Sequence, residues 1–259
     1  MSTLFIVKTG STFASIAQTH GDFEDWIAEG LQPPHTLVAD RLPMAVIDAN
    51  PSQPGAVHYP APEQCAGVVI SGSHDMVTEC TPWMLALQEW LHSICLAGVP
   101  VLGICFGHQL LAQTLGGKVG CHPAGLELGT VPVSVVTDTS EDPLWRGMPP
   151  CFDAQTVHFQ SVRQLPQGAQ LLAGNSHEPH HAFRWRHNVW GVQFHPEFRA
   201  PYMQGYIDHV AQDLQRHGSA LDMPQLRCSE TPESAQLLHN FARYAQQCAG
   251  QPNHWRAAA

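Results

Sequence analysis

The chain has 259 residues, 44% of them hydrophobic, which is enough apolar surface for a sizeable buried core and argues against disorder. Its 12 Lys and Arg stand against 22 Asp and Glu, a formal charge of −10; this argues against a nucleic-acid partner, because binding a phosphate backbone needs a basic face. The eight cysteines (Cys65, Cys80, Cys95, Cys105, Cys121, Cys151, Cys228 and Cys248) are scattered and include no C-x-x-C pair, so they read as buried thiols of a reducing compartment rather than a disulfide framework.

The apolar run at the N-terminus is too short for a signal-peptide core, and no segment reaches the roughly 18 apolar residues of a membrane span. The expectation is a cytoplasmic protein with no membrane partner. Short β-branched runs at 4–7, 44–48, 67–71 and 99–104 read as strands of an α/β domain with a largely parallel sheet. Between the third and fourth, 82–97 has helical period, with Leu85, Leu87, Trp90, Leu91 and Ile94 as the buried face and Gly98 as the stop. A second helix, 108–115, follows Cys105. Segments 130–137, 155–162, 170–173, 182–186 and 189–195 read as strands joined by Pro, Gly and Asn turns, which predicts an antiparallel extension. Helices at 202–216 and 232–247 form a C-terminal tail, and 219–231 reads as a loop. With no internal repeat or charge run, residues 1–259 are expected to be one domain with a helical tail from about 200.

The chemistry concentrates at two places. Val99-Pro-Val-Leu-Gly-Ile-Cys-Phe-Gly-His-Gln109 joins an apolar strand to a helix through Gly103-x-Cys105-x-Gly107, a nucleophile-elbow pattern with sulfur in place of oxygen. Small flanking residues permit the sharp turn that exposes the nucleophile. The helix N-terminus favours an anionic sulfur and offers N–H groups to a developing oxyanion. Such a thiolate needs a base that also protonates the leaving amine, and the base needs an orienting acceptor. Among 17 histidines, His195 stands apart in Trp190-Gly-Val-Gln-Phe-His-Pro-Glu197: it ends an apolar strand, Pro196 stiffens the turn, and Glu197 is placed to receive one imidazole N–H. His-Pro-Glu alone is a weak signal, and its value lies in the combination.

The paired motifs, some ninety residues apart, closely resemble the class I (triad) glutamine amidotransferases, particularly the amidotransferase domain of GMP synthase and its free-standing relatives. The resemblance spans about residues 4–197. It implies a Cys105–His195–Glu197 triad on a flavodoxin-like open sheet flanked by helices, with Gln109 contacting the substrate. Where the family usually has Gly-Gly-Pro after the third strand, this chain has Ile70-Ser-Gly-Ser-His-Asp75; the implied oxyanion donors are the Ser73 and Phe106 N–H groups, with Gly72 beside the substrate. A phosphate-loop reading of 71–75 lacks the second Gly and the final Ser. Glu127-Leu-Gly129 matches a Glu-Ile-Gly segment of the family and reads as turn and core support. Thr156-Val-His-Phe-Gln-Ser-Val162 matches the loop whose backbone holds the substrate's amino-acid end, through His158, Phe159 and Gln160; Gln160 is neutral where relatives commonly carry an acid. Asn175-Ser-His-Glu-Pro-His-His181 crowds ligand-type side chains, but the spacing fits no metal site and Pro179 breaks regularity, so it reads as a solvated turn.

The implied reaction is acyl transfer from the glutamine side-chain amide to Cys105, with no metal or organic cofactor required. About sixty residues follow Glu197, too few for an ATP-pyrophosphatase domain. The resemblance therefore implies a stand-alone chain that passes ammonia to a separate synthetase. The rivals are a γ-glutamyl peptidase or hydrolase using the same triad, and a non-catalytic regulatory domain, against which the intact Cys105, His195 and Glu197 weigh.

Overall fold

The computed structural model describes residues 2–32, 41–51, 57–216 and 226–250, with the side chains of 214–216 outside that set. Five parallel strands form one side of a nine-stranded sheet: β1 (Thr3–Lys8), β2 (Met44–Asp48), β3 (Cys65–Ile70), β4 (Val101–Ile104) and β11 (Val189–Val192), in the order β2-β1-β3-β4-β11 with β2 at the edge. Every residue of β3, β4 and β11 is buried. That is why these segments read as continuous apolar runs rather than alternating ones. The sheet then continues antiparallel through β10 (Ala182–Trp185), β9 (Ala169–Gly174), β6 (Glu127–Val135) and β7 (Cys151–His158). The expected open α/β sheet with an antiparallel extension is therefore the fold of this chain.

Helices cover both faces. On one side α3 (Pro82–Leu96) and α4 (Phe106–Thr114) enclose a core with Val68, Ile70, Leu110 and Phe183; on the other, α2 (Phe23–Leu31) and α6 (Pro232–Ala249) pack over Leu4, Ile6, Val69 and Trp190. A third cluster joins α1 (Ala14–His20) and α2 to α5 (Ala200–Arg216) through Ile16, Trp26, Tyr202 and Tyr206. Each fully buried large side chain contributes about 1.5–3 kcal/mol.

Several expectations need correction. In α3 the expected face holds at Leu87, Trp90, Leu91 and Ile94, but Leu85 is half exposed and Met84 is buried in its place. Segment 155–162 is not one strand. It breaks at Phe159 into β7 and β8 (Gln160–Gln164), and β8 pairs with β5 (Lys118–Cys121) in a separate two-stranded sheet. Of the cysteines, Cys80, Cys121 and Cys151 are exposed, though all eight are free thiols. Residues 226–231 lie outside helices and strands, and 219–225 of the expected loop fall outside the described residues. Among the described residues no helix is long and apolar enough to cross a membrane.

The parallel strands follow the doubly wound 2-1-3-4-5 order, which opens a crevice beyond the carboxyl ends of the strands. The residues of interest collect there.

Candidate active site

Cys105 sits between β4 and α4 with φ 50° and ψ −100°, a left-handed conformation that a residue with a Cβ rarely adopts. The turn is held by Cys105 N–H donating to Val192 O at 2.8 Å and by Gln109 N–H donating to Cys105 O at 3.1 Å. Its glycines are required by close approach. A Cβ on Gly103 would lie 2.4 Å from Gly107 O, and one on Gly107 would lie 2.6 Å from Ile70 O. Both obstacles are backbone and cannot rotate away. Gly103→Ala is therefore expected to destabilise the protein by roughly 3 kcal/mol, read as a lower urea midpoint at unchanged slope. An unchanged midpoint would show that the elbow has room this geometry denies it.

The sulfur is not displayed at the surface. Cys105 is only 6% exposed and lies at the floor of a half-open cleft of about 500 Å³. Gln193 Nε2 donates to Sγ at 3.5 Å, a contact that strengthens when sulfur is anionic. The cleft also brings together Ser73, Phe106, Gln109, His158, Phe159, Gln160 and His195. Gly72 and Glu197 stand behind the histidine rather than on the cleft wall.

His195 follows β11, and its Nδ1 lies 2.7 Å from Glu197 Oε1, with both side chains buried. Phe198 packs on the ring at 4.2 Å between centroids, and Phe23 of α2 stacks at 6.4 Å. From the other side, a Cβ on Gly72 would come within 3.0 Å of His195 Cε1. The imidazole thus has little freedom to turn, and its second nitrogen, Nε2, is buried and makes no conventional hydrogen bond, the Cys105 sulfur being the group it interacts with. Burial opposes a charge on this ring, but the Glu197 carboxylate and the Cys105 sulfur more than offset it and raise the His195 pKa to about 10.

Opposite lies the loop at the strand break. Gln109 Nε2 donates to Gln160 O at 2.8 Å and to Gln193 Oε1 at 3.0 Å. The Gln109 carboxamide therefore ties the Gln160 loop to the elbow helix. Gln160 is buried; its Nε2 donates to Thr78 Oγ1 at 2.6 Å while its Oε1 has no partner. Exchanging the two ends of this amide would let Thr78 donate instead and would put a donor where Oε1 now stands.

His158 is fixed from behind. Its two ring nitrogens lie 3.0 Å from Gln160 O and 3.0 Å from Glu127 Oε2. Glu127 also accepts from Asn175 Nδ2 at 2.9 Å and lies 3.3 Å from His181 Nε2. The segment 175–181 is therefore only in part the solvated turn expected, with Ser176 and Pro179 exposed. Asn175 Oδ1 accepts from the backbone N–H of His177 and Glu178, and Glu178 and His181 are fully buried. Polar composition suggested solvent, but Asn175 and His181 find their partner in Glu127 of β6, and His180 in Val162 O of β8. Burial works against the Glu127 carboxylate, yet the donors from His158, His181 and Asn175 hold its pKa well below the ordinary 4.5. A depressed carboxyl contributes stability in full above about 4.5 and progressively less as pH falls. Glu127→Gln should then cost roughly 3 kcal/mol at pH 7, with the gap to wild type narrowing below pH 4.5 in urea titrations. A gap independent of pH would contradict the pairing.

Gln193 and α2 are contributors that the sequence patterns did not single out. A signal for α2 does exist: Asp22 and Asp25 form a reciprocal capping box, and Asp22 also bonds Lys8 at 2.8 Å. Gln193 stands two residues before His195 in the same motif, but nothing in its spacing marks contact with sulfur.

Comparisons with known proteins find relatives of this chain in sequence and in fold. A GMP synthase [glutamine-hydrolyzing] of Thermomicrobium roseum is 39% identical over 132 residues, covering 51% of this chain and 23% of that protein. Gamma-glutamyl peptidase 4 of Arabidopsis thaliana is 33% identical over 150 residues, covering 57% and 60%. The aligned segments span less than two thirds of the length of these curated relatives. A glutamine amidotransferase from Thermotoga maritima has the same fold, with a TM-score of 0.67 at 21% identity over 96% of this chain and 99% of that one. The family model for glutamine amidotransferase class-I matches residues 35–207, well over half of the sequence, and the protein belongs to that family.

Proposed function

We propose that the protein hydrolyses the side-chain amide of glutamine through a γ-glutamyl thioester on Cys105 and passes the ammonia to a separate synthetase in the cytoplasm. The observation that carries this reading is the strained Cys105 elbow in one cleft with a His195 ring clamped 2.7 Å from Glu197. In the first step the Cys105 thiolate attacks the γ-carbonyl carbon, the C–S bond forms and the C–N bond breaks. His195 supplies the proton with which ammonia departs, and Glu197 holds the ring and balances its charge. The Ser73 and Phe106 backbone N–H groups are the proposed oxyanion donors. In the second step water gives a proton to His195 and its oxygen takes the acyl group, so the C–S bond breaks and glutamate leaves. Gly72, Gln109 and the His158–Phe159–Gln160 loop are assigned to holding the substrate.

We take the chain to be one amidotransferase domain with a helical tail. The continuous sheet and the packing of α6 on α2, β3 and β7 support this. A relative from Sulfurisphaera tokodaii, whose name makes it one component of a multi-chain GMP synthase [glutamine-hydrolyzing], is 41% identical over 129 residues that cover 49% of this chain and 64% of that protein; it supports a partner synthetase. A second reading, a γ-glutamyl peptidase, is favoured by a specific observation: Phe13, Leu126, Val157 and Val210 line the cleft that holds Cys105. Ammonia and glutamate release from glutamine by the purified chain tests the proposal. Stoichiometric release is expected; no release, alone or with a partner synthetase present, would overturn it.

A further inference from the structure

The loop that follows β3 is fastened by a buried cluster of hydroxyl groups. Thr9, directly after β1, and Ser71, directly after β3, are both fully buried. Ser71 N–H donates to Val7 O at 3.0 Å, and Thr9 N–H donates to Ser71 Oγ at 3.0 Å. The Ser71 hydroxyl, accepting there, directs its own proton to Gly72 O at 2.9 Å. Thr9 Oγ1 donates to the same carbonyl at 3.0 Å, with Ser71 O at 3.1 Å as its other acceptor. Two hydroxyls thus converge on Gly72 O. Because a peptide unit is planar and trans, its N–H points opposite to its C=O, so a carbonyl held towards Thr9 turns the Ser73 N–H the other way. That way lies the cleft: Ser73 lines it beside Cys105, and a Cβ on Gly72 would come within 3.0 Å of His195 Cε1. Gly72 brings no side chain to resist a flip of this peptide, so its orientation depends on the two hydroxyls.

We infer that Thr9 and Ser71 are positioning residues: they hold the Gly72–Ser73 peptide with its N–H facing the cleft before substrate arrives, so the oxyanion site is preformed and the chain hydrolyses glutamine without a partner to assemble it. The inference rests on Cys105 being the acceptor of the acyl group, as proposed above. Flipped, the same peptide would present a carbonyl oxygen where negative charge develops, and the tetrahedral intermediate would be repelled rather than stabilised. Neither Thr9 nor Ser71 lines the cleft; each acts through the plane of the peptide. Their effect therefore falls on the transition state, in which the oxyanion exists, and not on the binding of the uncharged amide.

The test measures glutamate released from glutamine by the chain alone, with Thr9→Val, Thr9→Ser and Ser71→Ala beside wild type. Thr9→Val keeps the shape of the side chain and removes its donor; it should lower kcat by about tenfold to a hundredfold with KM little changed. Ser71→Ala should act in the same direction, and Thr9→Ser, which keeps the hydroxyl, should recover most of the loss. Alkylation of Cys105 by iodoacetamide displaces iodide without forming an oxyanion, so it should run at the wild-type rate in all three. Should Thr9→Val fail to fold, Ser71→Ala carries the same comparison. Turnover close to wild type in the donor-deleted variants, or alkylation falling in step with kcat, would overturn the positioning role. A wild type labelled at Cys105 by a diazo-ketone analogue of glutamine but releasing no glutamate on its own would overturn the preformed site and spare Cys105 as nucleophile. Neither label nor release would overturn both.

Discussion

Cys105→Ala should abolish glutamate release, lowering kcat on the order of 10⁴-fold or more, while the fold survives. No other residue in the cleft can take the acyl group by the same route, because among the described residues Cys105 is the one cysteine on its wall. The substitution removes a sulfur that touches Gln193 and Val157 O through long contacts only, so little packing is lost. Alanine inherits the same left-handed backbone strain. Parallel assays of turnover and thermal unfolding check this: activity falling without a matching fall in melting temperature is the expected pattern. Turnover within tenfold of wild type would remove Cys105 from the reaction.

His195→Ala should be nearly as damaging, on the order of 10³–10⁴-fold, since it takes away the group that moves the proton in both steps. Glu197→Gln should cost a smaller factor, because the ring remains clamped by Phe23, Phe198 and Gly72. What the amide cannot supply is charge. In wild type, burial disfavours the imidazolium, but Glu197 and Cys105 lift its pKa to about 10. With Glu197 neutralised, burial gains weight and the value should fall, which a ¹⁵N NMR titration of the ring would follow. The sign for stability follows from the same shift. The raised histidine contributes in full below the ordinary 6.5 and loses its contribution as pH rises through about 10. Wild type and Glu197→Gln should therefore differ most at mildly acidic pH and converge in alkali. A His195 titration unmoved by Glu197→Gln would mean that the 2.7 Å contact carries no charge coupling.

What could be seen in advance from the sequence is what depends on neighbouring residues. The Gly103-x-Cys105-x-Gly107 turn is legible because backbone approach forbids a Cβ at both glycines, and His195 with Glu197 is legible because one short turn places both. The parallel strands were legible from their apolar runs. Less visible was anything built across the sheet. Glu127 meets His158 and His181, 31 and 54 positions away, and no spacing rule reports such a hub. The 175–181 loop looked solvated for the same reason, because Asn175, His180 and His181 reach partners in other strands. The split of 155–162 at Phe159 was hidden because both halves have strand character, and only pairing with β5 separates them. Gln160 was read for its charge, whereas its burial and its bond to Thr78 come from the tertiary fold.

Whether one thiol among eight accepts the γ-glutamyl group can be decided by treating the protein with a diazo-ketone analogue of glutamine and mapping every cysteine by mass spectrometry. One label per chain is expected, on Cys105, with activity lost in proportion and protection by substrate. A label distributed over the exposed Cys80, Cys121 and Cys151, with Cys105 unmodified while activity falls, would contradict the assignment of Cys105 as the nucleophile.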